Sequence, residues 1–175
     1  SPKIAGHFQV ATTVIKLIPL VLMAVVGIIV GLVSDNGVLM ENLAYAGAAT
    51  DGNPLFGAVV ATAFAYEGWI IATSINAELK DAKKNLPIAL IAGGIIIVAI
   101  YLFYYIGVAG GATVETLMAD GATVAYTNVF GNAFGNILNV FVAISCMGTL
   151  NGLMLGCTRG IYSLAARKEG PHPEM

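Results

Sequence analysis

Four long apolar runs, separated by short stretches that hold most of the charge, set the pattern of this chain. The first extends from Val10 to Val33 and is interrupted by Lys16 and Pro19. The second runs from Leu55 to Ala77 with Glu67 inside it, and the third from Ile88 to Val108 without a charge. The fourth starts near Ile137 and continues to about Ala166, with Arg159 toward its end. A helix needs about 20 predominantly apolar residues to cross the hydrocarbon core of a bilayer. The pattern therefore predicts four spanning helices at approximately 10–33, 55–77, 88–108 and 137–166. Pro87 falls where the first turn of the third helix needs no amide donor. The stretch 34–53 is polar and glycine-bearing, with a short helix expected around Leu39–Tyr45. The stretch 109–136 has room for one or two short helices at the membrane surface.

Composition agrees. Of 175 residues, 58% are hydrophobic and only 10% charged, against about 25% charged in soluble domains. This is the profile of an all-α integral membrane protein, a single transmembrane fragment over 1–175 with no separate soluble domain. No basic field suggests nucleic acid as a partner. Cys146 and Cys157 would lie about 16 Å apart along one helix, too far for a disulfide. The chain opens Ser-Pro-Lys, without an initiator methionine or a signal-peptide pattern, and reads as part of a longer protein.

Charge supplies the orientation. Lys3, Lys80, Lys83, Lys84, Arg167 and Lys168 fall on one side of a four-span zigzag. Asp35, Glu41, Asp51, Glu115 and Asp120 fall on the other. The positive-inside rule then places the N-terminus, the 78–86 loop and the C-terminal tail in the cytoplasm, and the chain in the plasma membrane as a multi-pass protein.

Against that background a few positions stand out. Glu67 sits near mid-span, where an ionisable residue costs about 2.5–3.5 kcal/mol or more to insert. It must pair, protonate or face a cavity, and it could either attract a cationic group or carry a proton itself. Gly68 follows it directly, and the backbone loosens most readily at glycine. A membrane helix interrupted at mid-depth survives only where the opened backbone lines a protein cavity, which is how transporter binding sites are built. Phe64, Tyr66 and Trp69 flank the pair, as pocket walls or as lipid-facing filler. Lys16 is either a snorkelling lysine or a buried ammonium that stands in for a bound cation or exchanges a proton. On the fourth run, Gly148, Gly152, Gly156 and Gly160 recur every four residues and form a helix-packing stripe; Gly27–Gly31 and Gly107–Gly111 repeat the spacing once each. No protease, redox, hydrolase or phosphate-binding motif is present, so the sequence points to no enzyme, no cofactor and no metal site.

Three segments in register carry a family resemblance. Gln9-Val10-Ala11-Thr12-Thr13-Val14-Ile15-Lys16-Leu17 resembles the start of the fifth membrane helix of L-type amino acid transporters, in the amino acid–polyamine–organocation superfamily. Phe64-Ala65-Tyr66-Glu67-Gly68-Trp69, then Asn76-Ala77-Glu78-Leu79-Lys80 and Lys83-Lys84-Asn85-Leu86-Pro87, resemble the sixth helix and its following loop. Ala143-Ile144-Ser145-Cys146-Met147-Gly148, Leu150-Asn151-Gly152, Arg159 and Ala166-Arg167-Lys168-Glu169-Gly170 resemble the eighth. The resemblance implies a LeuT-like fold of two inverted five-helix repeats, of which this chain supplies helices five to eight. It implies a discontinuous helix whose unwound Phe64–Trp69 segment binds a substrate amino group: backbone groups of Phe64, Ala65 and Tyr66, with Glu67 and Gly68 in the turn and Trp69 opening the inner half. It also implies that the Lys16 ammonium occupies a sodium-like site, with Ser145 and Thr149 as candidate oxygen partners. Glu67 stands where many relatives have Gly or Asp, and Leu153 where some have Ser.

The expected function is secondary active amino acid transport by alternating access, sodium-independent, as exchanger or proton symporter. The expected partners are an amino acid substrate, the bilayer and the remaining helices of a full-length transporter, one to four and nine onward. Alternative readings are a channel or membrane sensor with polar residues lining a cavity, and a helix-packing scaffold subunit.

Overall fold

Pro19 interrupts the first apolar run without ending its helix. In the computed structural model, which describes residues 2–33, 38–45, 54–66, 68, 71 and 79–168, the path from Pro2 to Val33 is helical throughout but not uniform. α1 (Pro2–Leu22) contains Pro19, whose ring nitrogen has no proton to give the preceding turn. The helix then widens into a π turn at Met23–Gly27 and returns to regular geometry in α2 (Ile28–Val33). The short helix expected in the next stretch is α3 (Leu39–Ala44). It is followed by α4 (Pro54–Ala65), α5 (Ala82–Gly111), α6 (Val114–Asp120), α7 (Ala122–Phe130) and α8 (Asn132–Ala166). The two short helices anticipated between the last spans are α6 and α7.

Among the described residues three helical stretches are long and apolar enough to cross a membrane: 6–33, 82–111 and 132–166. The second apolar run is described as helix only over the 12 residues of α4. At 1.5 Å per residue that covers about 18 Å of a hydrocarbon core about 30 Å thick. Boundaries differ from the sequence reading where polar residues open a helix. α5 begins at Ala82, so Pro87 lies inside it rather than in its first turn. Its start is fixed locally: the Asp81 carbonyl accepts from Lys84 N and Asn85 N at 2.9 Å each, and Asn85 Nδ2 donates to the Lys80 carbonyl at 2.7 Å. α8 begins at Asn132, directly after Gly131, whose φ of 86° lets α7 stop and a new helix start one residue later.

Contacts divide the chain into two units, Ser1–Gly47 with Ile95–Gly148, and Ala48–Gly94 with Thr149–Met175. In the first, the helical path through the π turn runs beside α5 on a seam of glycines. A Cβ at Gly31 would lie 2.6 Å from Gly110 Cα. One at Gly27 would strike the Gly107 carbonyl, and one at Gly107 the Met23 carbonyl. Backbones this close exclude any side chain, and in lipid such contact is what drives helices together. Moving up the path from Met23 to Gly31 moves up α5 from Gly107 to Gly110, so the two run parallel.

Above the seam, Met23, Ala112, Ala125, Tyr126 and Leu138 form one buried cluster, with Tyr104, Phe130 and Phe134 packed on it. The α3 side chain Asn42 closes the corner between α5 and α6. Its Nδ2 donates to the carbonyls of Ala109 at 2.6 Å and Ala112 at 2.7 Å, while its Oδ1 accepts from Val114 N at 3.1 Å. One amide thus serves two carbonyls at the end of one helix and a free donor at the start of the next. The second unit is apolar and open: Leu55–Ala63 of α4 is exposed at every position.

Candidate functional site

The stretch Phe64–Trp69 lies in the second unit, and the helix stops inside it. α4 ends at Ala65, and Tyr66 N closes the last turn by donating to the Thr62 carbonyl at 3.1 Å. Gly68 follows with φ 119°, a conformation that side-chain-bearing residues rarely adopt. Its carbonyl accepts from Ile71 N at 3.1 Å, a local turn rather than a continuation of α4. Tyr66 is 37% exposed at the break, and Ala65 is exposed beside it. Glu67, Trp69 and the side chain of Phe64 lie outside the described residues. The final carbonyls of a helix have no partner within it, and its C-terminus carries about half a unit of negative charge. The end of α4 at Ala65 therefore places the negative end of the helix dipole at this stretch.

Lys16 lies in the first unit, half-buried on α1. Its level relative to α8 follows from two fixed points. A Cβ at Gly148 would sit 2.8 Å from Thr12 Oγ1, so α1 and α8 touch there. Met23 and Leu138 share the buried cluster. Going forward along α1 from Thr12 to Met23 goes backward along α8 from Gly148 to Leu138, so the helices are antiparallel. One turn on from Thr12, on the same face of α1, is Lys16. The matching step back from Gly148, on the same face of α8, reaches Ser145. The register brings Lys16 and Ser145 to about one level, and sets Thr149 beside Gly148 at the level of Thr12.

Of the glycine stripe on α8, Gly148 and Gly152 are buried and Gly156 is half-buried. Gly160 is exposed, and a Cβ there would meet nothing within 4 Å. Thr12, whose hydroxyl donates to the Phe8 and Gln9 carbonyls, is 4% exposed and forms the other half of the Gly148 crossing. Sequence reasoning passed over Thr12, Asn42 and Tyr126. The only local signal for them was a polar residue beside an apolar run, and their partners are 67 to 107 residues away for Asn42 and Tyr126. Cys146 and Cys157 are free thiols. Among the described residues no group of three or more His, Cys, Asp or Glu could hold a metal ion.

Comparison with known proteins bears on the whole of this arrangement. A family model for amino acid permeases matches residues 1–173. The chain belongs to the amino acid permease family. It is 34% identical over 176 residues to the serine/threonine exchanger SteT of Bacillus subtilis, covering 98% of this chain and 38% of that protein. It is 27% identical over 171 residues to the b(0,+)-type amino acid transporter 1 of Oryctolagus cuniculus, covering 97% of this chain and 34% of that one. The human cystine/glutamate transporter is 28% identical over 115 residues, 64% of this chain and 22% of its own. No solved structure matches. The family and these relatives are permeases and exchangers of the membrane, not enzymes, and this member of it spans well under half the length of each.

Proposed function

We propose that the chain is the central portion of a secondary active amino acid transporter that works by alternating access, sodium-independent, as an exchanger or proton symporter. The observation that carries this reading is the ending of α4 at Ala65, followed by Gly68 at φ 119°, inside an apolar run long enough to span. Opened main-chain carbonyls there accept the substrate's amino group, and Phe64, Tyr66 and Trp69 wall the pocket around Glu67. Lys16 supplies a fixed positive charge in place of a coupling cation. The level it shares with Ser145 favours that hydroxyl over Thr149 as its partner. The rest of the site comes from helices beyond this stretch, in a fold of two inverted five-helix repeats with four of its spans here. The N-terminus, the 78–86 loop and the C-terminal tail face the cytoplasm, a placement that the distribution of lysine and arginine supports.

The test is uptake of labelled amino acids by the full-length protein in proteoliposomes. Glu67→Gln and Lys16→Ala are each expected to depress transport without unfolding the protein. Unchanged transport in both variants removes these residues from the mechanism, and no uptake by the unaltered protein rejects the reading as a whole.

A further inference from the structure

Tyr126 is the bulkiest side chain fully enclosed in the first unit, 1% exposed, and it enters from α7, outside the three long helices. Its ring lies nearly parallel to that of Phe134, 6.3 Å away between centroids, with Tyr104 at 6.5 Å and Phe130 at 6.0 Å. A phenylalanine would fill that space equally well. The hydroxyl does something a ring cannot: it donates to the Pro19 carbonyl at 2.9 Å. Burial, with Tyr104 beside it as the second cause, pushes the phenol above its ordinary range, so it remains a donor.

The accepting carbonyl occupies a particular place. Pro19 has already withdrawn one donor from the helix, and four residues later regular geometry gives way to the π turn Met23–Gly27. Short π segments and kinks arise where the i to i−4 ladder is disturbed and an outside group takes up what it releases. The turn is clamped on one side and faces open space on another. On one side its main chain meets Gly107 with no side chain between. On another, Val21, Val25 and Ile28 line an apolar cleft of about 420 Å³ with Phe103.

We propose that Tyr126 is a positioning residue of the transport cycle: by holding the Pro19 carbonyl it fixes the π turn of the first membrane helix, so that α7 and the bend of that helix move together. The functional half rests on the transport reading above; the structural half rests on the hydrogen bond alone. Tyr126→Phe in the full-length protein keeps the ring stack and removes the hydroxyl, with its bond to the Pro19 carbonyl and its contact with the Tyr104 hydroxyl. Hydrogen exchange across 23–28, measured by mass spectrometry in lipid nanodiscs, is expected to quicken roughly three- to tenfold, the effect of losing one net intramolecular hydrogen bond. Maximal uptake rate in proteoliposomes, normalised to the amount of folded transporter, falls with KM unchanged; the normalisation removes any loss of folded protein, which would lower the maximal rate in the same way. Tyr105→Phe, which removes an exposed phenol from α5, leaves both readouts unaltered. Unchanged exchange in Tyr126→Phe overturns the proposal, and so does faster exchange with an unaltered maximal rate. Absence of uptake by the unaltered protein rejects the functional half together with the transport reading, and the exchange measurement still decides the structural half.

Discussion

Adding one methyl group at Gly107 tests the glycine seam directly. The new Cβ would lie 2.8 Å from the Met23 carbonyl carbon and 3.0 Å from Ala24 Cα, and nearer still to the Met23 carbonyl oxygen. Ordinary contact begins at 3.4 Å, so the two backbones have to part by at least about 0.6 Å. All three opposing atoms are main chain, so no side chain can turn aside to make room. Overpacking of this kind costs about 1–3 kcal/mol. Against it stands the gain of about 1 kcal/mol that any glycine-to-alanine change brings inside a helix. Gly94→Ala, on the same helix but with nothing within 4 Å of its Cβ, shares that gain without the collision. Comparing the two cancels propensity and leaves the seam. Unfolding of each full-length variant by SDS in mixed micelles, followed by far-ultraviolet circular dichroism, is expected to place Gly107→Ala about 1–3 kcal/mol below Gly94→Ala. Agreement within about 0.5 kcal/mol, the scatter between independent sites, refutes backbone-to-backbone contact there.

Three other outcomes follow from the geometry. Asn42→Ala strands two carbonyls and one amide at the α5–α6 corner and is expected to cost about 2–3 kcal/mol in the same unfolding assay. Asn42→Asp does not rescue it, because a carboxylate would face the two carbonyls. Gly68→Ala forces a side chain into a φ of 119°, a strain of about 1–3 kcal/mol, and should abolish uptake while the circular dichroism of the folded protein is unchanged. At the crossing of α1 and α8, Gly148→Ala and Thr12→Ala should be coupled. The double variant is expected to be more stable than the sum of the singles by about 1 kcal/mol, since removing the Thr12 hydroxyl clears the space that the new methyl needs.

The parts of this molecule that were legible in its sequence are those that depend on neighbours in the chain. Hydropathy marked the long helices, and the spacing of Gly27, Gly31, Gly107 and Gly111 marked faces built for close approach. It could not say that Gly27 and Gly31 meet Gly107 and Gly110 rather than a helix elsewhere. Charge misled at Ala82: Lys83 and Lys84 read as loop, yet a helix carries on past the hydrocarbon boundary when Asp81 and Asn85 start it. The end of α4 at Ala65 falls just before the place where a carboxylate and a glycine stand together in an apolar run. The π turn was not legible, because Pro19 alone does not specify one and the Tyr126 hydroxyl that meets the Pro19 carbonyl comes from a helix 107 residues on. The Asn42 clamp was hidden for the same reason, since an isolated asparagine on a short helix in a polar stretch looks like solvated surface. For Lys16, sequence alone left two oxygen partners open, because a spacing along one helix does not say which residue of another lies opposite it.

The seam between the first helical path and α5 has no rotamers. Nothing has to be frozen in place when it forms, so its entropic cost stops at the main chain. By the same token it cannot slide by exchanging one side-chain conformer for another, as interlocked leucines can. It is a joint with two settings, shut or separated, and because Met23, Ala24 and Gly27 belong to it, the widened turn keeps its shape for as long as the joint stays shut.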